Sequence, residues 1–129
     1  AVGGCQAECG SAGAMAAGAA VELYGGSPEQ VGQAVAMTLK NTMGLVCDPV
    51  AGLVEVPCVK RNAGAAAGGM VAAEMALAGI KSVIPVDEVI DAMAAVGHTM
   101  SSSLKETAQG GIAVSPTGLA WAKKIFDVS

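Results

Sequence analysis

The chain has 129 residues and a net charge of −4, and 53% of its residues are hydrophobic, 14% charged and 2% aromatic. This length suits one domain with an aliphatic core. The acidic balance and the lack of a basic tract exclude nucleic acid as a partner. The longest apolar stretch, residues 12–21, is shorter than the roughly 20 strongly apolar residues that span a bilayer. We therefore expect no membrane partner.

The first half of the chain predicts two helices. Residues 11–24 are rich in alanine and end at a pair of glycines, which is a typical helix stop. The next helix begins at the pattern Ser-Pro-Glu-Gln, in which Ser27 caps the helix and Gln30 completes a capping box. Apolar residues then recur at helical spacing up to about Met43, where we expect this helix to end.

Three more helices follow a loop at residues 44–57. Their predicted bounds are 58–78, 87–100 and 117–126. No pair of strands is predicted, so we expect a single all-α domain, a compact bundle of about five Ala/Gly-rich helices. Because the side chains are small, we expect close helix contacts at three glycines of the third helix: Gly64, Gly68 and Gly69.

The four cysteines are Cys5, Cys9, Cys47 and Cys58. An even number suits two disulfides in a secreted protein, but disulfide scaffolds are poor in aliphatic core residues and this chain is rich in them. We therefore expect a cytoplasmic protein with reduced thiols. Cys9 lies one helical turn after Cys5. It either completes a set of four thiolates, the usual set for an iron–sulfur cube, or packs as an apolar residue.

The loop before the third helix holds two thiols eleven residues apart, Cys47 and Cys58. Two prolines and a glycine interrupt any helix between them. Lys60 and Arg61 follow directly, and a thiol beside fixed positive charge ionises easily and then binds metal as a thiolate. Together with Cys5, the loop indicates a thiolate-bound metal centre. The alternative is that the three thiols are buried and inert.

Four segments carry a resemblance to a known family. They are residues 4–8 (GCQAE), 44–52 (GLVCDPVAG), 56–63 (VPCVKRNA) and 106–113 (ETAQGGIA). In this order they resemble the iron–sulfur-dependent L-serine dehydratases, which are bacterial L-serine ammonia-lyases. The resemblance runs from residue 3 to about residue 117 and is to the C-terminal half of that family's catalytic, or alpha, region.

The resemblance implies a [4Fe–4S] cluster held by Cys5, Cys47 and Cys58, with the fourth iron open to substrate. That iron would act as a Lewis acid on the hydroxyl of L-serine, which is a poor leaving group. The products of this carbon–nitrogen lyase would be pyruvate and ammonia. Cys9 falls where relatives need no cysteine, so the resemblance implies that it is not a ligand.

The resemblance also implies partners. The rest of the catalytic segment and a regulatory, or beta-type, domain or subunit have no counterpart here. We therefore expect the chain to be a fragment of a longer protein that forms a homo- or hetero-oligomer. Two rival interpretations stay open: a non-catalytic helical fragment with empty thiols, and a four-cysteine electron-transfer or zinc domain.

Three polar residues at the predicted start of the third helix are candidates for substrate binding. Lys60 and Arg61 lie where the helix dipole is positive, and an arginine can bind a carboxylate through two hydrogen bonds. Otherwise they are solvated surface charges. Asn62 either hydrogen-bonds the substrate or caps a turn.

His98, the single histidine, is a candidate general base, although it lies near a helix end, where its charged form would interact favourably with the helix dipole. The resemblance implies that a histidine outside this chain contributes to the site. Glu106 and Thr107 either line the site or belong to a glycine-enabled turn.

Overall fold

The computed structural model describes residues 2–127, and within them the chain forms five α-helices and no strand. The helices are α1 (Cys9–Leu23), α2 (Pro28–Thr42), α3 (Cys58–Leu77), α4 (Val86–Thr99) and α5 (Pro116–Phe126). The predicted all-α fold is therefore confirmed. No helix in this range is long and apolar enough to cross a membrane.

The core lies where α1, α2 and α3 meet. Its buried side chains are mostly alanines, with Val21 and Met37 as the larger members. Such small side chains let the helix backbones approach closely: a Cβ added at Gly69 would lie 2.7 Å from the carbonyl oxygen of Gly13. The predicted close helix contact is therefore confirmed at Gly69. It is wrong for Gly64 and Gly68, where an added Cβ would meet nothing within 4 Å.

The predicted start of α2 is confirmed. The Ser27 backbone N–H donates to Gln30 Oε1 at 2.8 Å, and the Gln30 N–H donates to Ser27 Oγ at 3.3 Å, which completes the capping box. The Gln30 side chain also donates to the carbonyl of Ala76 at 3.0 Å, so the start of α2 is tied to the end of α3.

The predicted start of α1 is two residues late. The helix begins at Cys9, and a 3₁₀ turn at Cys5–Ala7 precedes it. Glu8 occupies the N-cap position without a side-chain capping bond. Cys5 therefore begins the 3₁₀ turn, and Cys9 is the first residue of α1.

The loop between α2 and α3 lies beside the loop between α4 and α5. Cys47 donates its N–H to the carbonyl of Leu104 at 2.8 Å, and the N–H of Glu106 donates to the carbonyl of Cys47 at 2.8 Å. These bonds form an isolated parallel bridge between Cys47 and Lys105. Helix α5 then packs against the 3₁₀ turn at Val50–Gly52. The loop that carries Cys47 is thereby held in place by the loop after α4 and by α5.

Candidate functional site

All four cysteines line one cavity of about 300 Å³, together with Glu8, Asn62 and Glu106. Cys5 comes from the 3₁₀ turn, Cys9 and Cys58 from the first positions of α1 and α3, and Cys47 from the loop between α2 and α3. All four are buried, free thiols. We call this space the thiol cavity.

Gln6 fixes the turn that presents Cys5. Its backbone N–H donates to the carbonyl of Leu45 at 2.9 Å, and its Oε1 accepts from the N–H of Gly44 at 2.9 Å. Its Nε2 donates to the carbonyl of Met93 on α4 at 2.9 Å. Gln6 is 1% exposed, so these bonds satisfy a polar side chain that would otherwise be costly to bury. No role was predicted for Gln6, although it follows Cys5 directly.

Cys9 contacts two other residues of the thiol cavity. Its Sγ lies 3.2 Å from the Sγ of Cys5, and it donates a hydrogen bond to Oδ1 of Asn62 at 2.9 Å. The structure therefore places Cys9 in the same cavity as the three predicted ligands.

The predicted cations do not line the thiol cavity. Arg61 donates from Nη1 to Asp48 Oδ1 at 2.7 Å and to the carbonyl of Val46 at 2.8 Å. It faces a different cavity, on the side of α3 towards Gly64 and Gly68. Lys60 is exposed and is absent from the lining of the thiol cavity. The guanidinium is thus occupied by an internal partner.

The expectation that Lys60 and Arg61 would ionise the thiols is wrong. Burial is the largest cause that raises the pKa of Cys9 to about 12, followed by the hydrogen bond and the charge of Cys5. Burial also raises the pKa of Cys47 to about 11, with the charge of Glu8 next. The pKa of Cys58 is raised as well, first by burial, and Arg61 only partly offsets this rise. The raised pKa values keep Cys9, Cys47 and Cys58 protonated until a cation replaces their protons.

The remaining predicted site residues fall into two groups. Asn62 and Glu106 line the thiol cavity. Thr107 does not: its Oγ1 donates to the carbonyls of Ser102 and Ser103, each at 3.1 Å, and closes its own loop. His98 is exposed in the last turn of α4, where its Nδ1 lies 2.8 Å from the carbonyl oxygen of Ala94.

Glu8 is a charged lining residue for which the sequence predicted no role. It lies between Cys5 and Cys9, at the N-cap of α1, and its charge contributes to the raised pKa of both Cys9 and Cys47. Its position in the segment GCQAE, next to a predicted ligand, was the available signal.

Within residues 2–127, no three His, Cys, Asp or Glu side chains converge closely enough to hold a single metal ion. A polynuclear cluster makes a different demand, because each cysteine binds a different iron and the thiolates are spread over separate corners. The three buried thiols around an open cavity match that donor set.

Comparison with known proteins identifies the family. The model of the family described as "Serine dehydratase alpha chain" matches residues 1–113. The chain belongs to this family. The probable L-serine dehydratase alpha chain of Bacillus subtilis is 67% identical over 126 residues, which are 98% of this chain and 42% of that protein. The L-serine dehydratase alpha chain of Peptoniphilus asaccharolyticus is 54% identical over 116 residues, 90% of this chain and 40% of that protein.

A third relative is also similar. L-serine dehydratase 1 of Escherichia coli is 46% identical over 112 residues, which cover 86% of this chain and 25% of that protein. The chain thus spans less than half the length of these three serine dehydratase relatives. The family match includes every residue that lines the thiol cavity and ends before α5.

Proposed function

We propose that this chain forms the cluster-binding part of an L-serine dehydratase, which converts L-serine to pyruvate and ammonia. One observation carries the proposal: Cys5, Cys47 and Cys58, far apart in sequence, line a single cavity. The names of the relatives, which are L-serine dehydratases or their alpha chains, support the reaction and the substrate. The remaining catalytic segment and a regulatory part would come from outside this chain.

A [4Fe–4S] cluster is the cofactor that we propose for these three thiols. When bound, it would supply a Lewis acid for the serine hydroxyl. The chain would hold it from three separate elements: Cys5 on its 3₁₀ turn, Cys47 on the bridged loop and Cys58 at the start of α3. Because burial raises the pKa of Cys47 and Cys58 and keeps both thiols protonated, cluster binding would release their protons.

The polar lining residues would act on the substrate. Asn62 accepts from Cys9 through Oδ1, which leaves its amide N–H groups as donors towards a substrate carboxylate. Glu106, which was predicted to line the site, lines the cavity, whereas His98, the predicted candidate base, does not. Glu106 is therefore the better candidate to accept the proton from the serine Cα.

The substrate carboxylate would also need a cation. Since neither Lys60 nor Arg61 lines the cavity, we infer that this cation belongs to the catalytic segment outside this chain. The complete enzyme would close the site from that side.

A second candidate function is supported by the position of Cys9. Four thiols around one cavity are also the set that saturates all four irons of a cluster, and such a cluster would transfer electrons instead of activating a hydroxyl. Replacement of Cys9 by serine separates the two. A lyase cluster with three thiolates would survive it, whereas a four-thiolate cluster would lose its occupancy.

The test of the lyase proposal uses the complete enzyme, assayed for pyruvate without oxygen. We expect Cys5→Ser, Cys47→Ser and Cys58→Ser each to abolish turnover, and we expect air to inactivate the wild type and ferrous iron with a reductant to restore it. Retained turnover in one of the variants would remove that cysteine from the ligand set. Full activity in a metal-free sample would refute the Lewis-acid role.

A further inference from the structure

The charges that line the thiol cavity all have one sign. Among the described residues, its lining contains two carboxylates, Glu8 and Glu106, and no lysine, arginine or histidine. Arg61, a predicted cation, does not line this cavity and is paired with Asp48. Glu8 therefore contributes negative charge to the lining of this cavity.

Glu8 is the carboxylate whose position no internal contact explains. It is exposed and occupies the N-cap of α1, yet it makes no side-chain capping bond to that helix. Within residues 2–127 its side chain also forms no ion pair and no hydrogen bond to another residue. It stands between Cys5 and Cys9, so its charge lies at the wall formed by the first predicted cluster ligand.

We propose that Glu8 binds the α-ammonium group of the substrate, an inference that rests on the proposed function. L-serine is a zwitterion, and its ammonium group and its hydroxyl are on adjacent carbons. A substrate that enters the thiol cavity with its hydroxyl towards the cluster would place its ammonium group in the same cavity, which Glu8 lines. The carboxylate–ammonium pair would be a charge-assisted hydrogen bond. The amino group is thus recognised by this chain, and the carboxyl group chiefly by the segment outside it.

The competing explanation is structural. A negative side chain at a helix N-terminus interacts favourably with the helix dipole, and Glu8 would then serve only the stability of α1. The two roles differ in what they change. A dipole partner alters the stability of the protein and treats every ligand alike, whereas an ammonium-binding residue discriminates between ligands with and without an amino group.

The experiment replaces Glu8 by glutamine in the complete enzyme, with iron content measured in every sample. We expect the KM for L-serine to rise about 10- to 100-fold, the range for a lost hydrogen bond to a charged group, with a much smaller change in kcat. Glu8→Asp, which keeps the charge, should recover part of the affinity. Glu22→Gln is the matched control, because Glu22 lies on the last turn of α1 outside the cavity lining.

A ligand without the amino group makes the test specific. We expect 3-hydroxypropanoate, which keeps the carboxylate and the hydroxyl, to inhibit the wild type and Glu8→Gln within about twofold of each other. Equal losses for L-serine and 3-hydroxypropanoate, an unchanged KM for L-serine, or a large fall in kcat alone would each overturn the proposal. So would loss of iron from a folded Glu8→Gln protein.

A comparison within the wild type covers the case in which Glu8→Gln fails to fold. There, L-serine should bind at least about tenfold more tightly than 3-hydroxypropanoate, and equal affinities would refute the role of Glu8. Absence of any serine turnover by the iron-loaded wild type would instead refute the proposed function itself.

Discussion

Arg61 and Asp48 form an ion pair of 2.7 Å that joins the first turn of α3 to the residue directly after Cys47. Asp48 is buried, and its second carboxylate oxygen accepts from the N–H of Ile112 at 2.7 Å. One carboxylate therefore connects the cysteine loop, α3 and the glycine-rich loop. This contact links the segment that carries Cys47 to the helix that begins at Cys58.

We predict that Asp48→Ala lowers the free energy of unfolding by about 3 kcal/mol, because it leaves the Arg61 charge and the Ile112 N–H without their partner. Urea unfolding of the metal-free chain measures this. The control is Lys81→Ala, since Lys81 pairs with Glu29 at 3.5 Å on the surface and should cost less than about 1 kcal/mol. If both variants lost the same free energy of unfolding, the Arg61–Asp48 pair would stabilise the chain no more than a surface ion pair does.

Replacing two neighbouring glycines of α3 by alanine should change the stability of the chain in opposite directions. Gly69→Ala should destabilise the chain by about 1–3 kcal/mol, because its Cβ would lie 2.7 Å from the backbone oxygen of Gly13. Gly68→Ala should stabilise it by up to about 1 kcal/mol, since its Cβ meets nothing and alanine favours a helix. Thermal unfolding of both variants is the measurement. A stabilising Gly69→Ala would contradict the close approach of α1 and α3.

The buried thiols predict how stability depends on pH. The folded state raises the pKa of Cys47 from 9.0 to about 11 and that of Cys9 from 9.0 to about 12, so the folded chain holds these protons more tightly than the unfolded chain. The resulting stabilisation is fully present below about pH 9 and is lost as the pH rises through 11 to 12. Denaturation of the metal-free chain at pH 8 to 11 should show this decline, and it should be shallower in Cys47→Ala. Equal slopes would mean that burial does not perturb Cys47.

Local signals in the sequence predicted part of the fold well. The start of α2 was correct because Ser27 and Gln30 bond each other within one turn. The start of α1 was wrong because Glu8 precedes it without a capping bond, so no local pattern marks Cys9 as the first helical residue. The predicted contacts at Gly64 and Gly68 were wrong, because composition indicates that helices can approach closely but not which helix face makes the contact.

The candidate site depended on longer-range contacts. The resemblance selected Cys5, Cys47 and Cys58, but their spacing could not show that they meet, since Gln6 and Asp48 fix their segments through bonds to distant residues. The same reason explains Arg61. Because Arg61 lies near Cys58 in the sequence, it was predicted to supply a cation beside the cysteine loop. In the structure it forms an ion pair with Asp48, thirteen residues away.

The central claim is that three thiolates hold a four-iron cluster and leave one iron open, and anaerobic reconstitution with iron and sulfide tests it most directly. Iron and acid-labile sulfide per chain would be measured for the wild type, Cys9→Ser and Cys58→Ser, with spectra before and after addition of L-serine. We predict about four irons in the wild type and in Cys9→Ser, a spectrum that L-serine perturbs, and loss of the cluster in Cys58→Ser. Full iron content in Cys58→Ser, or loss of the cluster in Cys9→Ser, would contradict the account.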